Sequence, residues 1–341
     1  MNLLSYAGVA PTFKGPPAQF ARTAAVIGRA TIGADAWLDD HAVIRADGHY
    51  VRAGTELMLG TRATVHIAHE VYPTLIGDRV TVGEYGVVHA CTVGDDCVIE
   101  DGAVVLDGCV LEAGLVLAPG SIVFPRTTLA GGFLYSGRPA KPERRLEAGE
   151  LGARRERLRA RIRTVDRPTP TSAAIRNFDA DVFIANTATL RGRITAAAQA
   201  QVYYACELDA GSGEIVLGAR SNVQDNSLLH AGDGRIVIGA DSTIGHNVRL
   251  AACTIGERSL IGIGAVVAAG TIVGDDVFLA AGGETAPGQV LESGFYVGSP
   301  ARRLGDLDDA KRKIIADTIP TYCEYARELI RVQAAAARTA A

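Results

Sequence analysis

The chain has 341 residues, a formal net charge of −4 and 48% apolar residues. That length and apolar content suit two domains of ordinary size, each with a large core. The mixed, slightly acidic charge argues against a nucleic-acid footprint, which needs a basic surface, and no apolar run is long enough to span a membrane.

The opening, "MNLLSYAGVAPTFKG", lacks the charged start and long apolar stretch of a signal peptide, so a cytoplasmic protein is expected. Next comes a repeat. An aliphatic residue recurs at every sixth position, often followed by Gly: Ile76, Val82, Val88, then Val93, Ile99, Val105, Leu111, Leu117, Val123. A second series runs Ile238, Ile244, Leu250, then Ile255, Ile261, Val267, Val273, Leu279. Each contains one five-residue step at the same place, and the two are offset by 162, so the chain is an internal duplication. Period six fits neither a helix nor a single strand. It predicts a left-handed parallel β-helix in which each hexapeptide forms one face of a triangular coil. The aliphatic residue points inward and Gly helps turn the corner. Stacked coils bury a core that one coil could not. The fold class is therefore mainly β, two such β-helices in tandem.

Each copy closes in a similar way, with "FLYSGRPAKPERR" from Phe133 and "FYVGSPARRLGD" from Phe295. A helix is expected after each. "LEAGELGARRERLRARIR" is highly charged and should pack along the outside of a β-helix. "DDAKRKIIADTIPTYCEYARELIRV" has an apolar face of Ile314, Ile315, Tyr322, Tyr325 and Leu329, broken or kinked at Pro320. Val165–Ala174 reads as the linker, and the final "AAAARTAA" is expected to fray. The divisions are residues 1–145 for the first β-helix, 146–174 for helix and linker, 175–303 for the second β-helix and 304–333 for the C-terminal helix. The six cysteines show no CxxC pair and read as small buried hydrophobes.

Two stretches carry the chemistry. "VTVGEYGVVHAC", Val80 to Cys91, has Glu84 and His89; "STIGHNVRLAAC", Ser242 to Cys253, has His246 and Ala251. With "LSYAGVAP", with "VIRADG" (Arg45 and Asp47) and with "NVQDNSLLH" (Asn222 to His230), they make the chain resemble the gamma-class carbonic anhydrases, a hexapeptide-repeat family, over nearly its whole length and twice. In that family three histidines hold a divalent metal between β-helices of a trimer, two from one subunit and the middle one from its neighbour. The resemblance implies the metal set His66, Glu84 and His89 in the first copy and His230, His246 and Ala251 in the second. The family's Arg is Arg45 but becomes Glu207, while Asp47 and Asp209 both remain; Gln224 and Asp225 are kept but become Gly60 and Thr61. The copies have lost complementary parts. His69, in a loop, is a candidate proton carrier.

What the resemblance implies chemically is a zinc or iron(II) site with one open position, whose bound water has a pKa near about 7 and whose hydroxide attacks carbon dioxide. Arg45 would hold bicarbonate or form an inter-subunit ion pair with Asp47; Gln224 or Asp225 would orient the water. The expected assembly is a homotrimer. The symmetric form puts Glu84 of one first copy against His66 and His89 of the next. The alternative brings His246 of a second copy to His66 and His89, restoring three imidazoles but mixing domain types within a three-membered ring. Two other functions remain in play, a CoA-dependent acyltransferase of the same repeat class and a non-catalytic assembly protein.

Overall fold

The computed structural model describes residues 1–161 and 173–340. The chain divides into two compact units, Met1–Thr169 and Pro170–Ala341. Each is a parallel β-helix followed by an α-helix.

In the first unit the six-residue period resolves into coils of three short strands. Thr81 pairs with Val98 and Val98 with Val116, steps of 17 and 18 residues. Three hexapeptides make an 18-residue coil, and the single five-residue step accounts for the coil of 17. One face is an eight-stranded sheet that starts at Gln19–Phe20 and ends with Lys141–Arg145 turned antiparallel. The long strand Val43–Ala53 serves the other two faces, pairing with Thr64–His66 along its first part and with Thr74–Ile76 along its second. The inward aliphatics Val82, Val88, Val105, Leu111 and Leu117 are buried in one continuous cluster. Each such side chain contributes roughly 1.5–3 kcal/mol by leaving water.

The corner glycines act differently from the sequence expectation. Gly77 and Gly83, directly after the aliphatic position, have no left-handed backbone. Their task is close approach: a Cβ on Gly77 would lie 2.7 Å from the Asp95 nitrogen of the next coil, and one on Gly83 2.8 Å from that of Asp101. The left-handed residue comes two positions after this glycine. There Gly102 and Gly108 take it without strain, whereas Arg79, Tyr85 and Asp96 adopt it with a side chain.

Helix α1 (Glu150–Arg161) lies against the eight-stranded face, as its charge pattern predicts. Leu158 enters a cluster with Met58, Val98, Val116 and Leu134. Around it Arg154 and Arg157 both grip the buried Glu100 at 2.8 Å, and Arg155 reaches Asp96 at 2.6 Å. Arg79 bonds Asp96 through two nitrogens, at 2.9 and 2.8 Å. That pairing with Arg79, helped by Arg155, holds the Asp96 carboxyl down at about 2. A depressed carboxyl stabilises the fold above its unfolded value of about 4, and the contribution is lost as pH falls towards the folded value. Acidification from about pH 4 to about pH 2 is expected to loosen α1 from the β-helix. Proteolysis within α1 should rise over that interval, before the β-sheet signal in circular dichroism declines.

The second unit repeats the plan. Its long strand Glu207–Leu217 pairs with Leu228–His230 and with Arg235–Ile238. Its eight-stranded face runs from Phe183–Ile184 to Arg302–Gly305. Helix α2 (Asp309–Ala340) buries Ile315, Ile319, Tyr322, Tyr325 and Leu329. Ile314, expected on that face, is exposed, because one residue from Ile315 is about 100° round the helix. The helix continues through Pro320, and the alanine-rich tail expected to fray is helical to Ala340, in keeping with alanine's helix propensity. The expected linker lies outside the described residues up to residue 172. Its last two positions already belong to the strand Ala173–Phe178.

All six cysteines are buried and unbridged. Burial pushes the Cys97 thiol up to about 11 and the Cys253 thiol up to about 12, so neither is a nucleophile near neutral pH. Among the described residues no helix is long and apolar enough to cross a membrane.

Candidate metal centre

His66 and His89 end two short strands that stack in register, Thr64–His66 on Val87–His89. A residue at the end of one coil therefore lies directly over its counterpart on the next, which is how 23 positions of sequence become a pair of facing rings. The backbone behind them is pinned. The Thr74 hydroxyl donates to the His66 carbonyl and accepts from the Ala90 N–H.

The rings meet with His66 Nδ1 and His89 Nε2 3.1 Å apart. The other nitrogen of each ring faces a carboxylate: His66 Nε2 is 3.1 Å from Asp47 Oδ1, and His89 Nδ1 is 2.6 Å from Asp107 Oδ1. His66 is 2% exposed and His89 12%. Two tetrahedral zinc ligands at 2.0–2.1 Å have nitrogens about 3.3 Å apart, so the observed pair is already spaced for a shared divalent ion. Asp107 was not singled out from the sequence, although it lies one 18-residue coil beyond His89.

The ion pair expected between subunits exists within one unit. Arg45 is fully buried and its Nη1 donates to Asp47 Oδ2, while Asp47 Oδ1 also accepts from the Gly48 N–H at 3.1 Å. Arg45 thus meets the histidines through Asp47.

Glu84 stands at a corner on the α1 side. Its carboxylate is 43% exposed and 3.4 Å from Arg161. The same arginine holds Asp101 at 2.8 Å, and Asp101 in turn accepts from the Glu84 N–H.

In the second unit the counterparts are unlike. His230 is 55% exposed, and its Nε2 lies 3.4 Å from Glu207, which also pairs with Arg191. The partner coil offers only the methyl of Ala251 at the position that His89 holds in the first unit. His246 is fully buried. Its Nδ1 is 3.2 Å from Asp225 Oδ2, within ion-pair reach but off the line of a hydrogen bond, and its Nε2 is 3.5 Å from the Tyr322 hydroxyl of α2. Asp225 Oδ1 accepts from the Tyr204 N–H at 3.0 Å; Gln224 donates to Asn222 at 3.2 Å. Tyr322, like Asp107, was missed as a neighbour of the site, because its approach depends on how α2 docks.

The hexapeptide repeat of succinyl-transferase matches residues 73–107, 91–119 and 253–282. Gamma carbonic anhydrase 2, mitochondrial, of Arabidopsis thaliana is 38% identical over 136 residues, 38% of this chain and 49% of the relative. Protein YrdA of Escherichia coli is 37% identical over 131 residues, 37% of this chain and 71% of that protein. Among solved structures, a hexapeptide transferase family protein from Anaplasma phagocytophilum is 31% identical, with 47% of this chain and 94% of that one covered and a TM-score of 0.42. The chain spans about half the length of the Arabidopsis relatives it matches. The doubled hexapeptide register, the motifs around Arg45, His89, Gln224 and His246, and these relatives agree: the chain belongs to the gamma carbonic anhydrase-like family of hexapeptide-repeat proteins.

Proposed function

We propose that this protein is a metal-dependent catalyst of the reversible hydration of carbon dioxide to bicarbonate. The observation that supports the reading is the pair of imidazoles His66 and His89, spaced at 3.1 Å with a carboxylate behind each ring. Two neutral nitrogen donors of this kind suit zinc or iron(II). Such a metal, when bound, supplies a water acidic enough to serve as hydroxide near neutral pH. The chain's own residues do the rest. Asp47 orients His66 and is itself steadied by the buried Arg45, whose charge it neutralises. His69, part-buried in the loop after His66, is the candidate to carry the released proton to solvent.

The third ligand comes from another β-helix in a trimer of chains. Of the two candidates, His246 is preferred to Glu84. Glu84 is held by Arg161 of its own unit, and a metal would have to compete with that arginine. His246 brings an imidazole at the family's middle position, with Asp225 of the adjacent coil beside it as an orienting carboxylate and Gln224 next to Asp225 as a water-ordering group. His230 has no partner imidazole and takes no part.

The test is a stopped-flow assay of carbon dioxide hydration on protein loaded with zinc or iron(II), beside the same protein stripped by chelator. Hydration well above buffer in the loaded trimer, lost on stripping and regained on reloading, is the expected result. A protein that takes up no divalent metal but binds acetyl-coenzyme A would place it with the acyltransferases.

A further inference from the structure

We propose that Asp107 is a positioning residue for this centre. With Asp47, it holds the two histidines in opposite tautomers, so that His89 offers Nε2 and His66 offers Nδ1 to the same ion. The inference rests on reading His66 and His89 as metal ligands.

An ionised carboxylate can only accept a hydrogen bond, and a neutral imidazole has one N–H. The N–H of His89 is therefore on Nδ1, pointing at Asp107 from 2.6 Å, and that of His66 is on Nε2, pointing at Asp47 from 3.1 Å. The two remaining nitrogens carry lone pairs and face each other at 3.1 Å. Two lone pairs at that distance repel, and a cation between them turns the repulsion into shared ligation. If either ring took the other tautomer, it would lose its carboxylate and aim an N–H at the metal position. Orienting partners of this kind set which nitrogen of a histidine binds.

The duplication supplies a second observation. At the offset of 162 that relates the copies, His89 corresponds to Ala251 and Asp107 to Ala269. The ligand and the carboxylate behind it have vanished together. The Asp107 carboxylate is 42% exposed and pairs with His89 at 2.6 Å.

Ring-nitrogen NMR of the metal-free chain at alkaline pH reads the tautomers directly. The expected result is His89 as the Nδ1–H form and His66 as the Nε2–H form, with His89 shifting towards a tautomer mixture in Asp107→Ala. Zinc titration against a competing chelator gives the second readout. Asp107→Ala should bind zinc about tenfold more weakly, and Asp107→Asn, which keeps an acceptor oxygen, should recover most of the loss. A predominantly Nε2–H His89 in the parent protein, or zinc affinity unchanged in Asp107→Ala, overturns the assignment. A parent that binds no zinc removes the metal reading instead, and the tautomer measurement still decides the role of Asp107.

Discussion

Replacing His66 by alanine is expected to strip the protein of its divalent metal, whereas replacing His230 by alanine is expected to leave metal content unchanged. The two residues hold equivalent places in the two copies, so the contrast isolates what surrounds them. His66 is buried, has His89 3.1 Å away as a second donor and has Asp47 fixing its far nitrogen. Removing it leaves the first unit with one imidazole at the centre and an Asp47 oxygen without its histidine. Structural zinc sites with four ligands bind with about 10–16 kcal/mol, roughly 3 kcal/mol per ligand, so losing one ligand should weaken binding a hundredfold or more. His230 is largely in solvent beside Glu207, and an exposed pair of that kind is worth little. Metal analysis after gel filtration, with circular dichroism to confirm that both variants keep the β-helix, measures the difference. Equal loss in both variants would show that the second-copy histidine is also a ligand and would sink the asymmetry. Metal absent from the parent would sink the centre itself.

The asymmetry between copies was legible in the sequence, and so was the fold. Period six, the single five-residue step and the offset of 162 translate directly into coils of 18 and 17 residues and two units. His89 stacks on His66 across 23 residues, a coil lengthened by the loop after His66, so that pairing also depends on where the loop is inserted. The sequence was less informative where a contact depends on docking of a separate element. Arg161 reaches Glu84 only because α1 lies along the eight-stranded face, and Tyr322 reaches His246 only because of how α2 sits. The corner glycines are ambiguous in sequence for a different reason. Close approach and left-handed backbone both select glycine, and only coordinates separate Gly83, which is crowded, from Gly102, which is left-handed. Asp107 was within reach of arithmetic, since adding one coil to His89 arrives there, but a motif-led reading attends to ligands before the groups behind them.

His246→Ala is expected to abolish metal-dependent activity, and Glu84→Ala to leave it nearly intact. The argument is one of competing partners. A third ligand has to exchange its present partners for the metal, and a cation is the hardest partner to give up. The Glu84 carboxylate sits beside Arg161, which also holds Asp101, and this exposed cluster is satisfied within its own unit. His246 has kept an imidazole while its copy lost Ala251's histidine and Ala269's carboxylate, a pattern expected if this one residue still serves a site completed elsewhere. Three imidazoles also leave the metal with its full double positive charge, and a carboxylate would cancel part of it, so the histidine set gives the more acidic water. The alanine variant at His246 opens a cavity between Asp225 and Tyr322, and burial of that gap costs about 1–3 kcal/mol of stability. Tyr322→Phe supplies the control: it removes the hydroxyl near His246, keeps the packing and is expected to retain metal. The decisive comparison is metal content and hydration rate in the three variants at matched folded fraction. Loss in His246→Ala alone, by a hundredfold or more on the scale of one ligand, supports the composite set of His66, His89 and His246. Loss in Glu84→Ala with His246→Ala silent assigns the centre to like domains, with Glu84 displacing Arg161 to reach the metal.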